Sequence, residues 1–508
     1  MTIYQMMKNT AERLPKKAAF IFAGRSWSYE EVLRTADQMA EGLKKAGVNR
    51  GNKVALFSKN GPEFALTVLA CSKIGAAAVP INFYLKEDDL AFICADAEVE
   101  GIVTQTAFLP LINAVHKGPF RFKNIWVTDG ESRSFQNLLE ADKHHSDAVA
   151  DPKATVMILY TSGTTGKPKG VMLSNENLTS NTLSCVEALG LKTSDCFLCM
   201  LPMFHVFSWT TCVMIPLHLG CTIVIVDAIR PPKPWLALMG KHGVTVFAAV
   251  PQIYAVLAEQ AKGFKRWVLK YYFFRKVRFC ISGAAPLQDE TLDKFESKIG
   301  AALFQGYGLT ETSPVVSSNT IQFKRKGSVG KAFPGIEVKI IDENEAVLPS
   351  GSEGEICIRG PNIMQGYYKQ EQATRDVFTK DGWFRTGDVG VIDADGYIYI
   401  KDRIKDMIII KGLKVFSIQV EEVLLSHPAV QEAAVVGIPD SAGDETIKAF
   451  VVLKDGVSID KAELMKLCHE KLPGYKRPRD IEFRKELPKN SMQKVLKREL
   501  KKQGTPPR

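Results

Sequence analysis

Short apolar runs alternate with helical patterns along the first three hundred residues of the chain. The run NKVALFSKN precedes the helical pattern PEFALTVLACSKIG, and the later runs CTIVIVD and VTVFAAVP are followed by the helical PQIYAVLAEQ. Alternation of strand-like and helix-like segments is typical of parallel sheets whose faces are covered by helices. The pattern therefore predicts an α/β fold up to about residue 310.

The hydrophobic pattern of the sequence changes from about Gly327 to Lys401. The segments VKIID, GEICIRG and GWFRTGDVGVIDADGYIYI are short, two-periodic and punctuated by glycine, which favours an antiparallel, barrel-like piece. The tetrapeptide DADG, which lies between VGVI and YIYI, predicts a hairpin turn.

A mixed segment follows Asp402. VFSIQVEEVLLSHP carries a strand into a helix, QEAAVVGIPD and IKAFVVL read as strands, and DKAELMKLCHEKL reads as a helix. We therefore predict a boundary at Lys401/Asp402. It separates residues 1–401, barrel-like over about 327–401, from an α+β unit of residues 402–508. The polar tail of residues 501–508 is expected to fray.

Composition places the chain among ordinary globular proteins, with 45% apolar and 24% charged residues in 508. The start has no secretory pattern, and no apolar stretch reaches the ~18 residues of a spanning helix, so we expect a cytosolic protein.

The ten cysteines follow no regular spacing, which is typical of reduced thiols. Cys196 and Cys199 could suggest zinc with His205, but a strand points them to opposite faces and a second ligand pair is missing.

Positive charge is concentrated at the C-terminal end of the chain. The formal net charge is +10, and residues 471–508 contain thirteen Lys and Arg against four Asp and Glu. Such an end suits nucleic acid, a membrane surface, a polyanionic small molecule or a solvated face. Because no zinc finger, helix-turn-helix or RNA-binding aromatic motif accompanies the charge, we expect no nucleic-acid partner.

The stretch FKRWVLKYYFFRKVRF, Phe264 to Phe279, combines six basic residues with seven aromatic ones. One interpretation is an interfacial patch that visits an anionic membrane. The other is a surface helix that covers the core before the strand VRFCISG. Of the two, we favour the surface helix and keep peripheral membrane contact as the alternative.

The loop YTSGTTGKPKG, Tyr160 to Gly170, concentrates glycines, hydroxyls and lysines between two apolar runs. Glycines let backbone N–H groups approach a ligand closely, and hydroxyls add donors, so the loop is suited to a phosphate chain. It is not a Walker loop, because Lys167 precedes Pro168, which disfavours a helix there. The following GVMLS reads as a strand, so we predict a loop that joins two strands.

Six further segments follow this loop along the chain. They are LPMFHVFSW (201–209), SGAAPL (282–287), QGYGLTE (305–311), TGD (386–388), KDRIKDMIIIKG (401–412) and PKNSMQKVLKREL (488–500). Together with the loop, and in this order over nearly the whole chain, they resemble the motifs of the adenylate-forming superfamily. That superfamily includes acyl- and aryl-CoA synthetases, luciferases and the adenylation domains of peptide synthetases.

The resemblance implies a two-step reaction. A carboxylate attacks the α-phosphate of ATP to give an acyl adenylate and pyrophosphate, and a thiol, usually that of coenzyme A, then displaces AMP. It thus implies an acid–thiol ligase with ATP and coenzyme A as co-substrates and Mg²⁺ as cofactor. The implied α/β fold is a large N-terminal domain of two helix-covered β-sheets plus a distorted β-barrel, with a small mobile α+β C-terminal domain.

By the same resemblance, the loop and its neighbours hold the nucleotide. The residues assigned to nucleotide binding are Thr161, Ser162, Gly163, Thr164, Thr165, Lys169, Gly283, Ala284, Ala285, Gln305, Gly306, Tyr307, Gly308, Thr310, Asp388, Arg403 and Lys405. Tyr307 is expected to stack on adenine and Asp388 to accept hydrogen bonds from the ribose. Glu311 and Thr164 match Mg²⁺ ligands, since a hard cation binds a carboxylate together with phosphate oxygens. Alternatively, Asp388 and Arg403 form a salt bridge between domains.

Lys494 aligns with the lysine that the family directs at the carboxylate and the α-phosphate. Its cation is suited to stabilise the charge that develops during adenylation, so we assign it as the catalytic residue. The family normally has glycine just before this lysine, whereas this chain has Gln493. If that position requires positive φ, the glutamine costs about 1 kcal/mol and bears on the adenylation rate.

Asp402 matches the family's hinge, about which the C-terminal domain rotates between the two steps. The pair Lys411–Gly412 matches one that faces the thiol channel in the coumarate-CoA ligase branch. Three further positions depart from the family pattern: Ser417 replaces a common proline, Gln419 a common glutamate, and Ile409 a nucleotide-binding lysine.

His205 and Trp209 bear on the identity of the acid substrate. The histidine borders the acyl pocket in acyl and aryl members, and the tryptophan resembles the gate of long-chain fatty acyl-CoA synthetases; its alternative role is core packing. We expect a fatty acid of medium to long chain, and a monomer or a homodimer. The alternatives are a CoA ligase for an aryl or other acid, an acyl-AMP ligase that loads a carrier protein, and a non-enzymatic lipid- or membrane-binding protein.

Overall fold

The computed structural model describes residues 1–140, 151–161, 168–227, 229, 231–410, 413–439, 445–490 and 494–504. The chain forms two compact units. The first consists of Met1–Glu337 and Ile358–Phe384, and the second of Val338–Cys357 and Arg385–Arg508. This division follows the density of contacts within the chain. The boundary at Lys401/Asp402 is placed at an expected hinge rather than by contacts, and it stays a prediction.

A nine-stranded sheet runs through the first unit. In spatial order its strands are Lys331–Ala332, Val315–Ser318, Ala302–Gly308, Phe279–Ser282, Val246–Ala249, Cys196–Cys199, Thr222–Ile225, Ala18–Phe22 and Arg25–Ser28. The pairings from Ala302–Gly308 to Ala18–Phe22 are parallel, and those at the two edges are antiparallel. Because parallel strands end at the same edge, the segments that follow neighbouring strands lie side by side.

The second sheet of this unit has seven strands. In spatial order they are Gly366–Tyr367, Lys169–Ser174, Thr155–Thr161, Ala77–Pro80, Lys53–Phe57, Val99–Thr104 and Asn124–Val127. The strands from Thr155–Thr161 to Asn124–Val127 pair in parallel. The other two pair antiparallel, and one of them comes from a distant part of the chain.

Helices accompany these sheets, as the alternating pattern predicts. The α-helices are Ile3–Arg13, Tyr29–Lys45, Pro62–Ile74, Glu87–Asp96, Leu109–Lys117, Ser134–Leu139, Asn175–Leu189, Val206–Ser208, Ile215–Leu219, Pro232–His242, Pro251–Gln260, Gly263–Val268, Asp289–Ile299 and Glu371–Arg375. Trp209–Met214 and Leu269–Phe273 are π-helical, and Thr106–Phe108 and Thr310–Thr312 are 3₁₀ turns. Ser28 and Glu31 form a reciprocal capping box that fixes the start of one helix.

An aromatic core lies against the nine-stranded sheet. The ring of Phe247 lies 5.7 Å from those of Trp235 and Tyr254 and 5.8 Å from that of Phe274, and all four residues are buried. Aromatic rings bury large areas, so this cluster fixes the helices that carry Trp235 and Tyr254.

The second unit contains three small sheets. Their strands are Glu337–Ile341, Glu353–Arg359, Phe384–Ile392 and Ile398–Arg403 in the first, Ile408–Ile410 and Leu413–Val415 in the second, and Val430–Pro439, Glu445–Leu453 and Asp480–Arg484 in the third. The α-helices are Ser417–Leu425, Lys461–Lys471 and Lys497–Gly504, and Ile404–Asp406 and Gly474–Lys476 are 3₁₀ turns. The turn DADG joins two antiparallel strands, with Gly396 at φ 83°, as predicted.

The α/β class with several sheets and a separate C-terminal unit is confirmed. The expectation of a frayed tail was wrong for residues 501–504, which end the helix Lys497–Gly504. This helix holds because Leu500 is fully buried and Lys501 forms an ion pair with Glu445 at 2.7 Å. No helix in the part of the chain that the structure describes is both long and apolar enough to span a membrane.

Candidate active site

The phosphate-type loop joins two antiparallel strands, Thr155–Thr161 and Lys169–Ser174, as predicted. Thr161 and Lys169 stand opposite each other at the two ends of the loop. Ser162, Gly163, Thr164 and Thr165 lie outside the described residues. The described ends therefore fix where the loop leaves and re-enters the seven-stranded sheet.

Tyr367 links two of the predicted site residues. Its hydroxyl donates a 3.0 Å hydrogen bond to Oε1 of Glu311, and the ammonium of Lys169 lies 5.0 Å from the centre of its ring. Burial and the carboxylate of Glu311 raise the pKa of Tyr367 well above its ordinary value. The phenol therefore stays a donor to the carboxylate across the physiological pH range. Sequence reasoning missed this residue.

The backbone around Tyr367 explains how it reaches the site. The strand Gly366–Tyr367 pairs with Lys169–Ser174, with Tyr367 opposite Val171. Gly366 has a φ of 141°, which L side chains rarely adopt, and Tyr368 N donates to Gly170 O at 2.8 Å. The doublet of tyrosines after this glycine is the sequence signal that could have found it.

Glu311 is suited to bind a metal ion that also takes oxygen ligands from a bound phosphate. It lies in the 3₁₀ turn Thr310–Thr312, and one of its carboxylate oxygens is held by Tyr367. Within the described residues, no group of three or more His, Cys, Asp and Glu side chains could hold a metal by itself. A lone carboxylate beside a phosphate-type loop fits Mg²⁺, which keeps few protein ligands and takes phosphate oxygens.

The two glycine-rich segments predicted to hold adenine lie side by side. Ser282 stands opposite Gln305 at the end of the parallel pairing, so Gly283, Ala284 and Ala285 begin where Gly306, Tyr307 and Gly308 continue the neighbouring strand. This adjacency follows from the parallel register.

Backbone geometry explains two of the small residues in these segments. A Cβ on Gly308 would lie 1.8 Å from the carbonyl oxygen of Pro314, so only glycine fits there. Ala284 adopts a φ of 68°, a left-handed conformation that costs a non-glycine residue on the order of 1 kcal/mol. Strain of this kind clusters at functional sites, which agrees with the predicted role of the SGAAPL segment.

Asn60 holds the segment that carries His205. This buried side chain donates from Nδ2 to the carbonyl oxygens of Leu201 and Val226, each at 2.9 Å, and accepts from Met203 N at 2.8 Å. Trp209 N donates to His205 O at 2.9 Å, so His205 stands at the start of the helical segment that continues into Trp209. Sequence reasoning missed Asn60.

Trp209 is a buried side chain. It is 1% exposed, and its ring lies 6.0 Å from that of Phe64. Its indole N–H has no hydrogen-bond partner within the described residues. The next residue, Thr210, donates to Ser313 O at 2.9 Å, which connects this segment to the turn that follows Glu311. The burial agrees with the packing role, and the gate stays a prediction.

In the second unit, Asp388 and Arg403 form a cross-strand ion pair. They stand opposite each other on neighbouring antiparallel strands, and Arg403 Nε lies 3.1 Å from Asp388 Oδ1. Asp388 is 3% exposed, so its carboxylate needs this partner. The salt bridge of the predicted alternative is thus present, and both residues belong to the second compact unit.

Lys494 lies in the electrostatic field of this ion pair. Burial and the guanidinium of Arg403 lower the pKa of Lys494 to about 8, against the opposing effect of the Asp388 carboxylate. Lys405 acts in the same direction as Arg403. The side chain of Asn490 accepts from Lys494 N at 2.9 Å and so holds the backbone at this position. The structure therefore brings Lys494, Asp388, Arg403 and Lys405 together.

Asp402 is buried and hydrogen-bonded on both carboxylate oxygens. Oδ1 accepts from Arg403 N at 2.8 Å, and Oδ2 accepts from the hydroxyl of Ser417 at 2.7 Å. Lys497 donates to the same hydroxyl at 2.6 Å and forms an ion pair with Glu421 at 2.6 Å. Although burial acts to lower it, the carboxylates of Glu421 and Asp402 raise the pKa of Lys497.

Lys411, Gly412 and Gln493 lie outside the described residues.

Two further departures from the family pattern have partners in the structure. Gln419 accepts a 2.7 Å hydrogen bond from Lys476 through Oε1. Ile409 donates its backbone N–H to Glu445 at 3.0 Å, and its side chain is largely exposed.

Comparison with protein-family models gives two matches that cover most of the chain. The AMP-binding enzyme family matches residues 7–368, and the AMP-binding enzyme C-terminal domain matches residues 419–494. The second match ends at the residue assigned as catalytic.

Individual proteins resemble the chain over nearly its full length. The long-chain-fatty-acid–CoA ligase of Bacillus subtilis is 33% identical over 99% of this chain and 95% of its own. The 4-coumarate–CoA ligase 3 of Oryza sativa subsp. japonica is 33% identical over 94% of this chain and 87% of its own. The solved structure of ATP-bound MatB from Rhodopseudomonas palustris matches with a TM-score of 0.91 at 30% identity, covering 99% of both chains.

Proposed function

Since the chain belongs to the AMP-binding enzyme family, within the adenylate-forming superfamily, we propose that it is an AMP-forming acid–CoA ligase. In the first step, one oxygen of a carboxylic acid forms a bond to the α-phosphorus of ATP, and pyrophosphate leaves. In the second, the sulfur of coenzyme A bonds to the acyl carbon, and AMP leaves with the thiol proton released to solvent. The products are acyl-CoA, AMP and pyrophosphate.

The observation that carries this proposal is the contact chain from Lys169 through Tyr367 to Glu311. A cation, a phenol donor and a carboxylate stand at the end of a loop that is rich in hydroxyls and glycine. Lys169 is placed to neutralise phosphate charge, and Tyr367 orients the carboxylate. Glu311, together with Thr164 from the loop, would hold Mg²⁺, which would neutralise polyphosphate charge.

Lys494 is assigned to the adenylation step. An ammonium stabilises the negative charge that builds on the α-phosphate oxygens as the carboxylate attacks. With a pKa of about 8, the side chain is mostly protonated at pH 7 and supplies this charge. Asp388 is assigned to the ribose hydroxyls. Arg403, whose charge cannot be lost at physiological pH, is assigned to the ribose or a phosphate.

The thioester step is assigned to a second arrangement of the C-terminal domain, reached by rotation about Asp402. The resemblance supports this assignment. Lys411 and Gly412 are assigned to the channel for the coenzyme A thiol.

We propose a fatty acid of medium to long chain as the substrate. The support is the apolar segment after His205, the buried Trp209 within it, and the similarity to a fatty-acid ligase over 99% of the chain. A hydroxycinnamic acid is the second candidate, because a 4-coumarate ligase is equally similar, at 33% identity. We place the reaction in the cytoplasm, where ATP and reduced coenzyme A are available.

The experiment that tests the substrate assignment offers the purified full chain ATP, Mg²⁺, coenzyme A and one acid at a time. The panel runs from acetate to palmitate and includes 4-coumarate, ferulate and benzoate, and thioesters are identified by mass spectrometry. We expect the highest kcat/KM for a fatty acid of eight or more carbons, because each buried methylene adds ~0.8 kcal/mol of binding. A preference for an aromatic acid would overturn the fatty acid while leaving the ligase reaction in place.

A further inference from the structure

Four aromatic side chains stand exposed within nine residues of the first unit. Phe264 is 77% exposed, Trp267 and Tyr271 are each 56% exposed, and Tyr272 is 46% exposed. Phe264, Trp267 and Tyr271 follow one another at spacings of three and four, which places them on one side of a helical segment. The ring of Trp267 lies 5.9 Å from both Phe264 and Tyr271. We refer to these four residues, with the basic residues between Lys262 and Lys276, as the aromatic–basic face.

The opposite side of the same segment is fixed to the body of the unit. Leu269 and Phe274 are buried in the aromatic core. Arg266 donates to the carbonyl oxygens of Ser297 and Lys298 at 3.2 Å each, at the C-terminal end of the helix Asp289–Ile299. A cation there offsets the partial negative charge of the helix end. The surface-helix interpretation from the sequence is thus correct for the inner side, and the outer side presents aromatic rings to solvent.

Positive charge is concentrated in the stretch of sequence that carries these rings. The sequence from Gln260 to Gln288 contains seven Lys and Arg and no Asp or Glu. Arg278 forms an ion pair with Asp195. The other six have no ion pair with a carboxylate among the described residues: Lys262, Lys265, Arg266, Lys270, Arg275 and Lys276. The face therefore combines a fixed apolar surface with a local excess of positive charge.

We propose that the aromatic–basic face docks onto an anionic lipid surface. Tryptophan and tyrosine favour the boundary between headgroups and acyl chains, where an apolar ring and a polar edge are both satisfied. Lys and Arg beside them are attracted to anionic headgroups. Lipid fits the face better than single-stranded nucleic acid, because the nearly parallel rings of Phe264 and Trp267, with centres 5.9 Å apart, form one apolar surface with no room for a base between them.

The test is co-sedimentation of the full chain with vesicles, which does not depend on the proposed reaction. One set contains phosphatidylcholine alone, and the other contains phosphatidylcholine with about 40% phosphatidylglycerol. Wild type should bind the anionic vesicles at least tenfold more tightly than the neutral ones. The double substitution Phe264→Ser and Trp267→Ser should weaken binding to both sets at least tenfold. Lys262→Glu with Lys265→Glu should remove the preference for anionic vesicles.

Matched controls distinguish binding by this face from non-specific adsorption and from the effects of unfolding. Ile321→Ser removes an equally exposed apolar residue, 61% exposed, and Lys16→Glu reverses an exposed charge elsewhere in the unit. Both should bind like wild type, and all variants should keep the wild-type melting temperature. Equal binding by the face variants and the controls would overturn the proposal, as would wild-type binding to single-stranded DNA but not to vesicles. Concentration-dependent dimerisation that Trp267→Ser abolishes, without vesicle binding by wild type, would assign the face to a second copy instead.

Discussion

The hydroxyl of Ser417 donates a 2.7 Å hydrogen bond to the buried carboxylate of Asp402. The family commonly has proline at position 417, and proline has no side-chain donor. The substitution therefore gives the predicted hinge residue a partner that proline cannot provide. Because Lys497 donates to the same hydroxyl, the contact extends to a buried ion pair with Glu421.

We predict that Ser417→Ala changes the two half-reactions by unequal factors. Losing the hydroxyl leaves a buried carboxylate oxygen with one donor fewer, which costs about 1–3 kcal/mol in the arrangement seen here. If Asp402 is the hinge, this cost falls on one arrangement and shifts the balance toward the other. The measurement pairs acid-dependent ATP–pyrophosphate exchange with single-turnover conversion of preformed acyl-AMP.

The matched control is Ser426→Ala, at the end of the same helix, whose hydroxyl donates to Val423 O and accepts from Lys471 at the surface. It should leave the ratio of the two rates unchanged. A Ser417→Ala enzyme whose two rates fall by the same factor would show that the bond is structural and unrelated to a hinge.

Tyr367→Phe should raise the Mg²⁺–ATP concentration needed for half-maximal adenylation by about tenfold. It removes a hydrogen bond to a charged group, worth about 1.5–3 kcal/mol, and so loosens Glu311. Higher Mg²⁺ should restore part of the activity. Tyr368→Phe is the control, since its hydroxyl bonds to Glu98 at 3.0 Å on the surface. Wild-type dependence on Mg²⁺–ATP in Tyr367→Phe would remove this residue from the site.

The rate of adenylation should fall as the pH rises through about 8. Burial and Arg403 lower the pKa of Lys494 to about 8, so above that pH the side chain loses the charge that the first step requires. Arg403→Gln removes a neighbouring cation, so the pKa of Lys494 should rise. The pH at which the adenylation rate falls to half its maximum should therefore move upward. Pyrophosphate exchange without coenzyme A is the measurement, because the thiol then contributes no titration. An unchanged midpoint in Arg403→Gln would contradict the assignment.

Trp209→Ala should lower stability by about 3–5 kcal/mol and shift the chain-length preference toward longer acids. The first effect follows from deleting a buried indole that packs against Phe64. The second follows if the freed space extends the acyl pocket beside His205. Melting curves and a kcat/KM profile from acetate to palmitate check both. A lower melting temperature with an unchanged profile would leave packing as the role of Trp209.

Local pattern was enough to predict the class of fold and several of the contacts in the site. Strand–helix alternation gave the parallel sheets, and Pro168 after Lys167 gave a strand-to-strand loop because it disfavours a helix. The resemblance assigned the SGAAPL and QGYGLTE segments to one adenine site, and in the structure Ser282 stands opposite Gln305 on neighbouring strands. These features depend on residues close together in the sequence.

The features that sequence reasoning missed depend on distant pairing. Tyr367 enters the site through a two-residue strand that pairs with Lys169–Ser174, nearly two hundred residues earlier in the chain. Ser417 was recognised as a departure from the family, but its partner Asp402 became evident only in the structure. The exposed side of the aromatic–basic face was equally hidden, because the neighbours that bury Leu269 and Phe274 decide which side faces outward.

The measurement that tests the account most directly compares the two half-reactions in Lys494→Ala. Adenylation is followed by acid-dependent ATP–pyrophosphate exchange, and thioester formation by the conversion of preformed acyl-AMP and coenzyme A to acyl-CoA. The account predicts that exchange falls at least a hundredfold, because the charge that develops on the α-phosphate loses its cation, while thioester formation stays within a fewfold of wild type. Equal losses in both half-reactions, or exchange at the wild-type rate, would contradict it.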